Sequence, residues 1–181
     1  MSIRHVGRRQ LTSVVVGFEI RQVQPEEYEE AGRVTASAWV ELLPHDPSPD
    51  WEAYLARIAD IRDRADRTLI LGAFEDGHPL GTVTLEVDVK VDEDSGPLSP
   101  DTANVRMLGV APEARRRGIG RALMEAVMAE ARARGKRVLT LNTGERQRAA
   151  IAMYEAMGFT REPDRILPDG FRLQSYRLQL H

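Results

Sequence analysis

The segment between residues 103 and 134 constrains the fold more than any other part of the sequence. Ala103–Val110 alternates as a strand, a loop rich in arginine and glycine follows, and Arg117–Arg134 has helical spacing. The apolar residues of that helix form one stripe: Ile119, Leu123, Ala126, Val127 and Ala131. A strand that enters a helix through such a loop predicts an α/β protein with an anion site at the helix start.

Other stretches predict further strands by their alternation and further helices by their spacing. The strands are Phe18–Val23, Thr68–Phe74, Leu80–Val91, Val138–Leu141 and Gly170–Leu180, and the helices are Pro25–Leu43, Asp50–Ala65 and Arg146–Met157. Hairpins are therefore mixed with a helical crossover. We expect an α/β fold of the mixed, α+β-like kind, with a central, mostly antiparallel twisted sheet of about 6–7 strands and helices on both faces.

The chain shows no internal repeat, low-complexity segment or domain linker. We therefore expect residues 17–181 to form a single domain. Residues 1–16 are interpreted as an N-terminal arm, either flexible or an extra edge strand. Proline and glycine predict loops at Pro44–Asp50 and at Asp92–Asp101.

Composition excludes several classes of function. The absence of cysteine rules out disulfides, thiolate catalysis and cysteine-based zinc sites. A net charge of -3, with Lys90 and Lys136 as the only lysines, argues against a nucleic-acid partner. No apolar run approaches the roughly 18 residues of a membrane span, and no signal peptide is evident, so a cytoplasmic location is expected. His5, His78 and His181 lack metal-ligand spacing, so no metal is expected.

The loop before the central helix is a candidate phosphate site. Gly118 and Gly120 would let a diphosphate approach the backbone, and the first amides of a helix point outward. Neither a Walker A loop nor a dinucleotide fingerprint matches, because Gly-Lys-Ser/Thr is absent and Leu123 stands where the third glycine belongs. A solvated arginine run is the competing interpretation. The arginines that would add positive charge are Arg115, Arg116 and Arg117.

These residues resemble the acetyl-CoA motif of the GNAT superfamily of N-acetyltransferases, whose loop reads Q/R-x-x-G-x-G/A. Arg115–Gly120 matches that loop, and Leu108–Glu113 matches the preceding strand end. Downstream, Ala150–Phe159 resembles the second motif, A-I-x-x-Y-E-x-x-G-F, at the spacing of the family. The order of strands and helices extends the resemblance, more weakly, to Phe18–Leu180, and implies a GNAT-like fold.

The resemblance implies acetyl-CoA as the cosubstrate. Backbone groups of Leu108–Val110 would bind the pantetheine arm as an added strand does, and the amides of Arg116–Arg121 would hold the pyrophosphate. Gln147 stands where the family often has an asparagine that contacts the cofactor. The expected cofactor-binding residues are Leu108, Gly109, Val110, Arg115, Arg116, Arg117, Gly118, Ile119, Gly120, Arg121 and Gln147.

Tyr154 occupies the position that the family uses for its general acid. The attacking amine, with a reference pKa of about 10.4, must lose a proton, and the leaving thiolate, with a reference pKa of about 8.5, must gain one. Packing of Tyr154 in the core beside Ile151 and Phe159 is the competing interpretation. Glu86 is a candidate general base, but its position opposite the apolar residues of its strand also fits a solvated strand face.

The expected activity is transfer of an acetyl group from acetyl-CoA to a primary amine by direct attack. The acceptor stays open among small amines, antibiotics, amino acids and protein N-termini. Tyr28, Trp39 and Trp51 lie in the first two predicted helices, where the family usually builds its acceptor pocket, and core packing is the competing interpretation for each.

Two alternatives remain at this point. One is a non-catalytic module of the same fold that binds or senses CoA, and the other is a different enzyme that uses the arginine loop for a phosphate ligand. The sequence determines neither the general base nor the oligomeric state, and a homodimer is one expectation for such a family.

Overall fold

The computed structural model of the protein describes residues 13–15, 17–41, 49–88, 98–167 and 170–181. Within them, eight strands form one sheet in the order β1-β2-β3-β4-β5-β6-β8-β7. The strands are β1 Ser13–Val15, β2 Phe18–Gln22, β3 Leu69–Glu75, β4 His78–Glu86, β5 Thr102–Val110, β6 Val138–Gly144, β7 Thr160–Ile166 and β8 Arg172–Gln179. Only β5 and β6 pair in parallel among these strands. The mostly antiparallel sheet is therefore confirmed, and the edge strands β1 and β7 bring the number of described strands to eight.

Helices cover both faces of the sheet, as the sequence predicts. They are α1 Tyr28–Val40, α2 Pro49–Ala59, α3 Ile119–Ala133 and α4 Arg148–Ala156. On one face, Ala31 of α1 packs with Ile70 and Phe74 of β3. On the other, Leu123 of α3 belongs to the larger core, which also contains Leu71 of β3. Because side chains alternate along a strand, β3 is buried on both sides and holds the two layers together.

Helix α2 ends at Ala59, earlier than its sequence periodicity predicts. The guanidinium of Arg64 folds back onto the end of this helix. Its Nη1 donates to the carbonyls of Arg57 at 2.9 Å and Asp60 at 2.7 Å, and its Nη2 donates to the carbonyl of Ile58 at 3.0 Å. Carbonyls at a helix end lack intrahelical donors, so this buried arginine caps α2.

Parts of five predicted segments lie outside the described residues. These are residues 1–12 and 16 of the arm, 42–43 at the end of the first predicted helix, 44–48 of the proline-rich loop, 89–91 at the end of the strand predicted to reach Val91, and 92–97 of the loop that follows it. Within the arm, Ser13–Val15 pairs with β2 in antiparallel orientation, which is the edge-strand form of the two alternatives. Strand β4 ends at Glu86.

Candidate active site

The candidate site lies where the neighbouring strands β5 and β6 separate. Their parallel ladder ends at the pair formed by Val105 and Leu141. β5 continues to Val110 and β6 continues to Gly144, so the two strand ends diverge and leave an opening, here called the gap. Openings at the carboxyl ends of strands are the usual ligand sites of α/β sheets.

A bulge bends β5 where the gap begins. The pairing register of β4 with β5 shifts between Thr82 and Thr84, and Met107 on β5 adopts a φ of +52°. Bulges bend the strand that contains them and increase its twist. The bulge therefore accounts for the departure of β5 from β6, and the side-chain pattern of the sequence does not reveal it.

The edge of β5 that faces the gap offers backbone hydrogen-bonding groups. The Ala111 amide donates to the carbonyl of Leu80 at 2.8 Å on the opposite side, toward β4. Successive residues of an antiparallel strand direct their backbone groups to alternate edges, so Val110 and Leu108 direct theirs toward the gap. An extended ligand could pair with this edge as an added strand does.

The loop before α3 presents a run of backbone amides. Arg116 and Gly118 adopt left-handed φ values of +62° and +80°, and Gly118, the N-cap of α3, provides no side-chain cap. Among the described residues, no acceptor takes a hydrogen bond from the amides of residues 116–121. These amides, together with the positive end of the helix dipole, form a candidate anion site.

Glutamates hold two of the loop arginines by their side chains. Arg115 pairs with Glu41, which follows α1, and Arg117 pairs with Glu75 at the end of β3. The hydrogen bond from Arg117 lowers the pKa of Glu75 and raises the pKa of Arg117 itself. Arg116 forms no ion pair with any residue that the structure describes. The backbone therefore contributes more to the anion site than the arginine count in the sequence indicates.

Ile119 and Arg121, at the start of α3, differ in whether their side chains are exposed. Ile119 is 1% exposed and belongs to the larger core, so only its amide is available to a ligand. Arg121 is exposed in the first turn of α3, where its Nε donates to Glu125 at 2.9 Å. The side chain of Ile119 therefore anchors the helix start, and its backbone faces the anion site.

The glycines near the gap serve different purposes. A Cβ on Gly109 would lie 2.9 Å from the carbonyl oxygen of Thr35, so helix α1 packs directly on the backbone of β5 there. A Cβ on Gly120 would lie 3.7 Å from Met153 Sδ, which is an ordinary contact. The packing of the protein therefore requires glycine at 109 but not at 120.

Tyr154 lies on α4 with its ring in the core. Its centroid is 5.8 Å from that of Phe159 and 6.3 Å from that of Tyr176, and the residue is 5% exposed. Burial raises the pKa of its hydroxyl. No residue in the described ranges hydrogen-bonds to Tyr154 Oη. The ring thus packs as a core residue, while the hydroxyl keeps a proton that no described side chain uses.

Gln147 is the N-cap of α4. The hydroxyl of Thr143 donates to its Oε1, which leaves the amide nitrogen as the group available to a ligand. A depression of about 490 Å³ near the start of α4 is lined, among the described residues, by Glu145, Arg146 and Arg148, and Gln147 is not part of its lining.

Glu86 does not lie on a solvated strand face. It is 0% exposed, because β4 is covered on both sides. Asn104 Nδ2 donates to Glu86 Oε2 at 2.6 Å, and Arg106 Nη1 lies 3.7 Å from Glu86 Oε1. Thr140 Oγ1 donates to Asn104 Oδ1 at 3.0 Å, so Glu86, Asn104 and Thr140 form a row across β4, β5 and β6, here called the buried polar row.

The sequence pattern does not single out three further residues of this region: Arg64, Asn104 and Arg106. The Nε of Arg64 donates to Thr84 Oγ1 at 3.2 Å, and burial lowers the pKa of Arg64 to about 10, which leaves it charged at neutral pH. Arg106 lies opposite Thr84 in the β4–β5 register, as Asn104 lies opposite Glu86. Polar residues at alternate positions of two predicted strands were the available signal, but their pairing depends on the register.

The gap, the loop before α3 and Tyr154 all lie in the part of the chain that a family profile covers. The profile of the Acetyltransferase (GNAT) family matches residues 28–159. This chain belongs to the GNAT family. The resemblance drawn from the two sequence motifs is thereby confirmed.

Relatives and solved structures of this family agree with that assignment. The mycothiol acetyltransferase of Cellulomonas flavigena is 32% identical over 151 residues, which are 80% of this chain and 41% of that protein. A GNAT-family protein of Desulfovibrio desulfuricans matches with a TM-score of 0.69 at 22% identity, covering 91% of this chain and 99% of the other. Salmonella typhimurium yncA, solved with acetyl-CoA, matches with a TM-score of 0.65 at 20% identity, covering 91% and 94%. These structures establish the GNAT fold of the chain.

The curated relative is much longer than the matched region, since the chain spans only 41% of it. In the described ranges, no helix combines the length and the apolar character that crossing a bilayer requires. Across the same residues, no three His, Cys, Asp or Glu side chains gather in a way that could hold a metal ion.

Proposed function

We propose that this GNAT-family protein transfers the acetyl group of acetyl-CoA to a primary amine by direct attack. The observation that carries the proposal is the run of amides at residues 116–121, which donate to no described acceptor. A diphosphate at the start of α3 would supply the missing acceptors, and the edge of β5 would pair with an extended pantetheine arm. Acetyl-CoA in the yncA structure and the name of the mycothiol acetyltransferase support the same cosubstrate.

In the proposed reaction the amine nitrogen attacks the thioester carbonyl, so that a C–N bond forms and the C–S bond breaks. The Val110 amide, directed toward the gap, would stabilise the oxyanion. Tyr154 would give its proton to the CoA sulfur and regain one from solvent. Burial raises the pKa of Tyr154 but also disfavours a bare thiolate in the same place, so the proton would move as the C–S bond breaks.

The acceptor amine must also lose a proton before it attacks. Glu86 stays our proposed base, but its buried carboxylate, held by Asn104 and Arg106, could accept that proton only through water. Glu86→Gln tests this role. If Glu86 is the base, kcat/KM should fall while CoA affinity and Tm stay close to those of the unchanged protein, whereas a purely structural role predicts a lower Tm with kcat/KM little changed.

Because the chain has no cysteine, CoA is the only thiol that an assay with a thiol reagent can detect. We expect thiol release with acetyl-CoA and small or peptide amines. CoA at 100 times its Kd should also stabilise the fold by about 2.7 kcal/mol. If no amine gives thiol release and CoA does not stabilise the fold, the proposal is contradicted. Stabilisation without turnover would favour a CoA-binding module, and stabilisation by nucleotides alone would favour another phosphate ligand.

The remaining expectations about partners and location stay predictions. A homodimer is testable by light scattering of the purified chain at several concentrations. A cytoplasmic location is testable by fractionation of the source cells. Neither affects the chemistry proposed for the gap.

A further inference from the structure

A series of aromatic side chains lies outside both hydrophobic cores. The rings of Trp39, Tyr54, Trp51 and Phe171, here called the aromatic cluster, contact one another edge to face at centroid distances of 5.7, 6.1 and 5.6 Å. None of them belongs to either core among the described residues. Phe171 is 38% exposed, and the other rings are half-buried. Tyr28, by contrast, packs against the core of the α1 and α2 face.

The aromatic cluster runs from one side of the gap to the other. Trp39 follows Ala38, whose Cβ would lie 3.2 Å from a Cβ on Gly109 of β5. At the other end, Phe171 Cζ would lie 3.8 Å from a Cβ on Gly144, the last residue of β6. The cluster therefore extends from α1, which packs on β5 at Gly109, to the end of β6 at Gly144, where the two strands no longer pair. A thioester held in the gap would lie next to the cluster.

Folding alone does not account for these rings. Trp39 Nε1 is buried, and no described residue accepts a hydrogen bond from it. A buried donor without a partner lowers stability, and a phenylalanine or leucine at this position would avoid that loss. The half-buried rings also leave apolar surface in contact with water, which a ligand would cover.

The charge at the cluster indicates which kind of group it would bind. The guanidinium carbon of Arg57 lies 5.7 Å from the centroid of the Tyr54 ring. The Tyr54 ring already has a cation–π contact with Arg57, so this ring offers less to a second ammonium, as in a polyamine, than to an apolar group. A phenyl, indole or branched aliphatic group would be attracted through burial and ring contacts.

We infer that the acceptor is a primary amine whose other end carries an uncharged aromatic or large apolar group, and that the aromatic cluster binds that group. This inference rests on the proposed function, because it assumes a thioester in the gap. A small arylalkylamine and a peptide with an aromatic first residue share this chemistry. Phenethylamine and the tripeptide Phe-Gly-Gly therefore serve as separate probes of the two sources.

The first test compares kcat/KM for phenethylamine, Phe-Gly-Gly, ethylamine and putrescine with acetyl-CoA. Burial of one phenyl group predicts that kcat/KM for an aromatic acceptor exceeds that for ethylamine by about tenfold or more, mostly through a lower KM. Trp51→Leu should reduce the preference several-fold. Tyr28→Leu, which removes an aromatic ring from the same face but outside the cluster, should leave it unchanged. Equal values for ethylamine and both aromatic probes, or a preference for putrescine, would overturn the inference.

The second test needs no variant. The chain has two tryptophans, Trp39 and Trp51, and both belong to the cluster. Phenethylamine added to the CoA-loaded protein should therefore shift or quench the tryptophan emission, and ethylamine should not. Acetylation of ethylamine and phenethylamine at equal rates, with no emission change, would refute this inference and leave the proposed function standing. Absence of both CoA binding and amine acetylation would refute the proposed function itself.

Discussion

The gap and the buried polar row are polar parts of one sheet, but their polar groups are satisfied differently. Beside the gap, in the loop that begins α3, the amides of residues 116–121 donate to no acceptor in the described part of the chain. In the buried polar row, Glu86, Asn104 and Thr140 bond one another across three strands. Unpaired groups at an opening are available to a ligand, whereas paired buried groups fix the strands in place. We infer that the gap binds and that the row supports it.

Tyr154→Phe should give the largest effect and tests the gap side of this comparison. The change keeps the ring and removes the proton donor, so kcat should fall by about 10²–10⁴ because CoA would leave without a proton. CoA affinity should be unchanged. Thiol release and calorimetric titration with CoA measure the two quantities on one preparation. An unchanged kcat would remove the acid role from Tyr154.

Arg64→Met tests the supporting side. The free energy of unfolding should fall by about 3 kcal/mol, because three carbonyls at the end of α2 would lose the donor that a buried arginine gives them. Arg67→Met is the matched control, since Arg67 is exposed and pairs with Asp63 at 3.4 Å. It should change the same quantity by less than about 0.5 kcal/mol. Equal losses in urea denaturation would contradict the capping role.

Two glycine substitutions sharpen the distinction between binding and support. Gly109→Ala should lower the free energy of unfolding by about 1–2 kcal/mol, because its methyl group meets the Thr35 carbonyl at 2.9 Å. Gly120→Ala should leave stability nearly unchanged but weaken CoA binding about tenfold, because its methyl group would stand in the path of the proposed diphosphate. Thermal melts and CoA titrations of both variants measure this contrast, and the reverse pattern would refute it.

The smallest expected effect is the absence of an alkaline decline. Burial raises the pKa of Tyr154, so this acid stays protonated up to and beyond its ordinary pKa of about 10. As pH rises, kcat/KM should increase with deprotonation of the acceptor amine. At pH values up to about 10, kcat/KM should show no decline. A descending limb between about pH 8 and 9.5 that disappears in Tyr154→Phe would show that the hydroxyl ionises there instead.

Local patterns predicted most of the half that contains α3 and α4. The helix predicted at Arg117–Arg134 is observed as Ile119–Ala133, because its apolar stripe lies within the segment and Gly135, with a φ of +72°, follows its end. The end of α2 could not be predicted in the same way. Its periodicity continues past Ala59, and the helix stops where the side chain of Arg64 returns to its carbonyls.

In the candidate site, too, local features could be predicted from the sequence and features that depend on distant residues could not. The loop at Arg115–Gly120 and the position of Tyr154 could be read from contiguous residues, because a helix start and a helix face are local features. The surroundings of Glu86 could not, since its partners Asn104 and Arg106 come from a strand that is distant in sequence. The aromatic cluster likewise joins Trp39 to Phe171 only through tertiary packing.

The sequence by itself determined which chemical groups are present: amides at a helix start, a glycine at 120, and a tyrosine on the following helix. Only the tertiary structure decided which polar residues face water and which face a partner. That choice depends on strand register and on what packs against each face, and distant residues set both. Whether a polar group binds a ligand or supports the sheet is decided at that level.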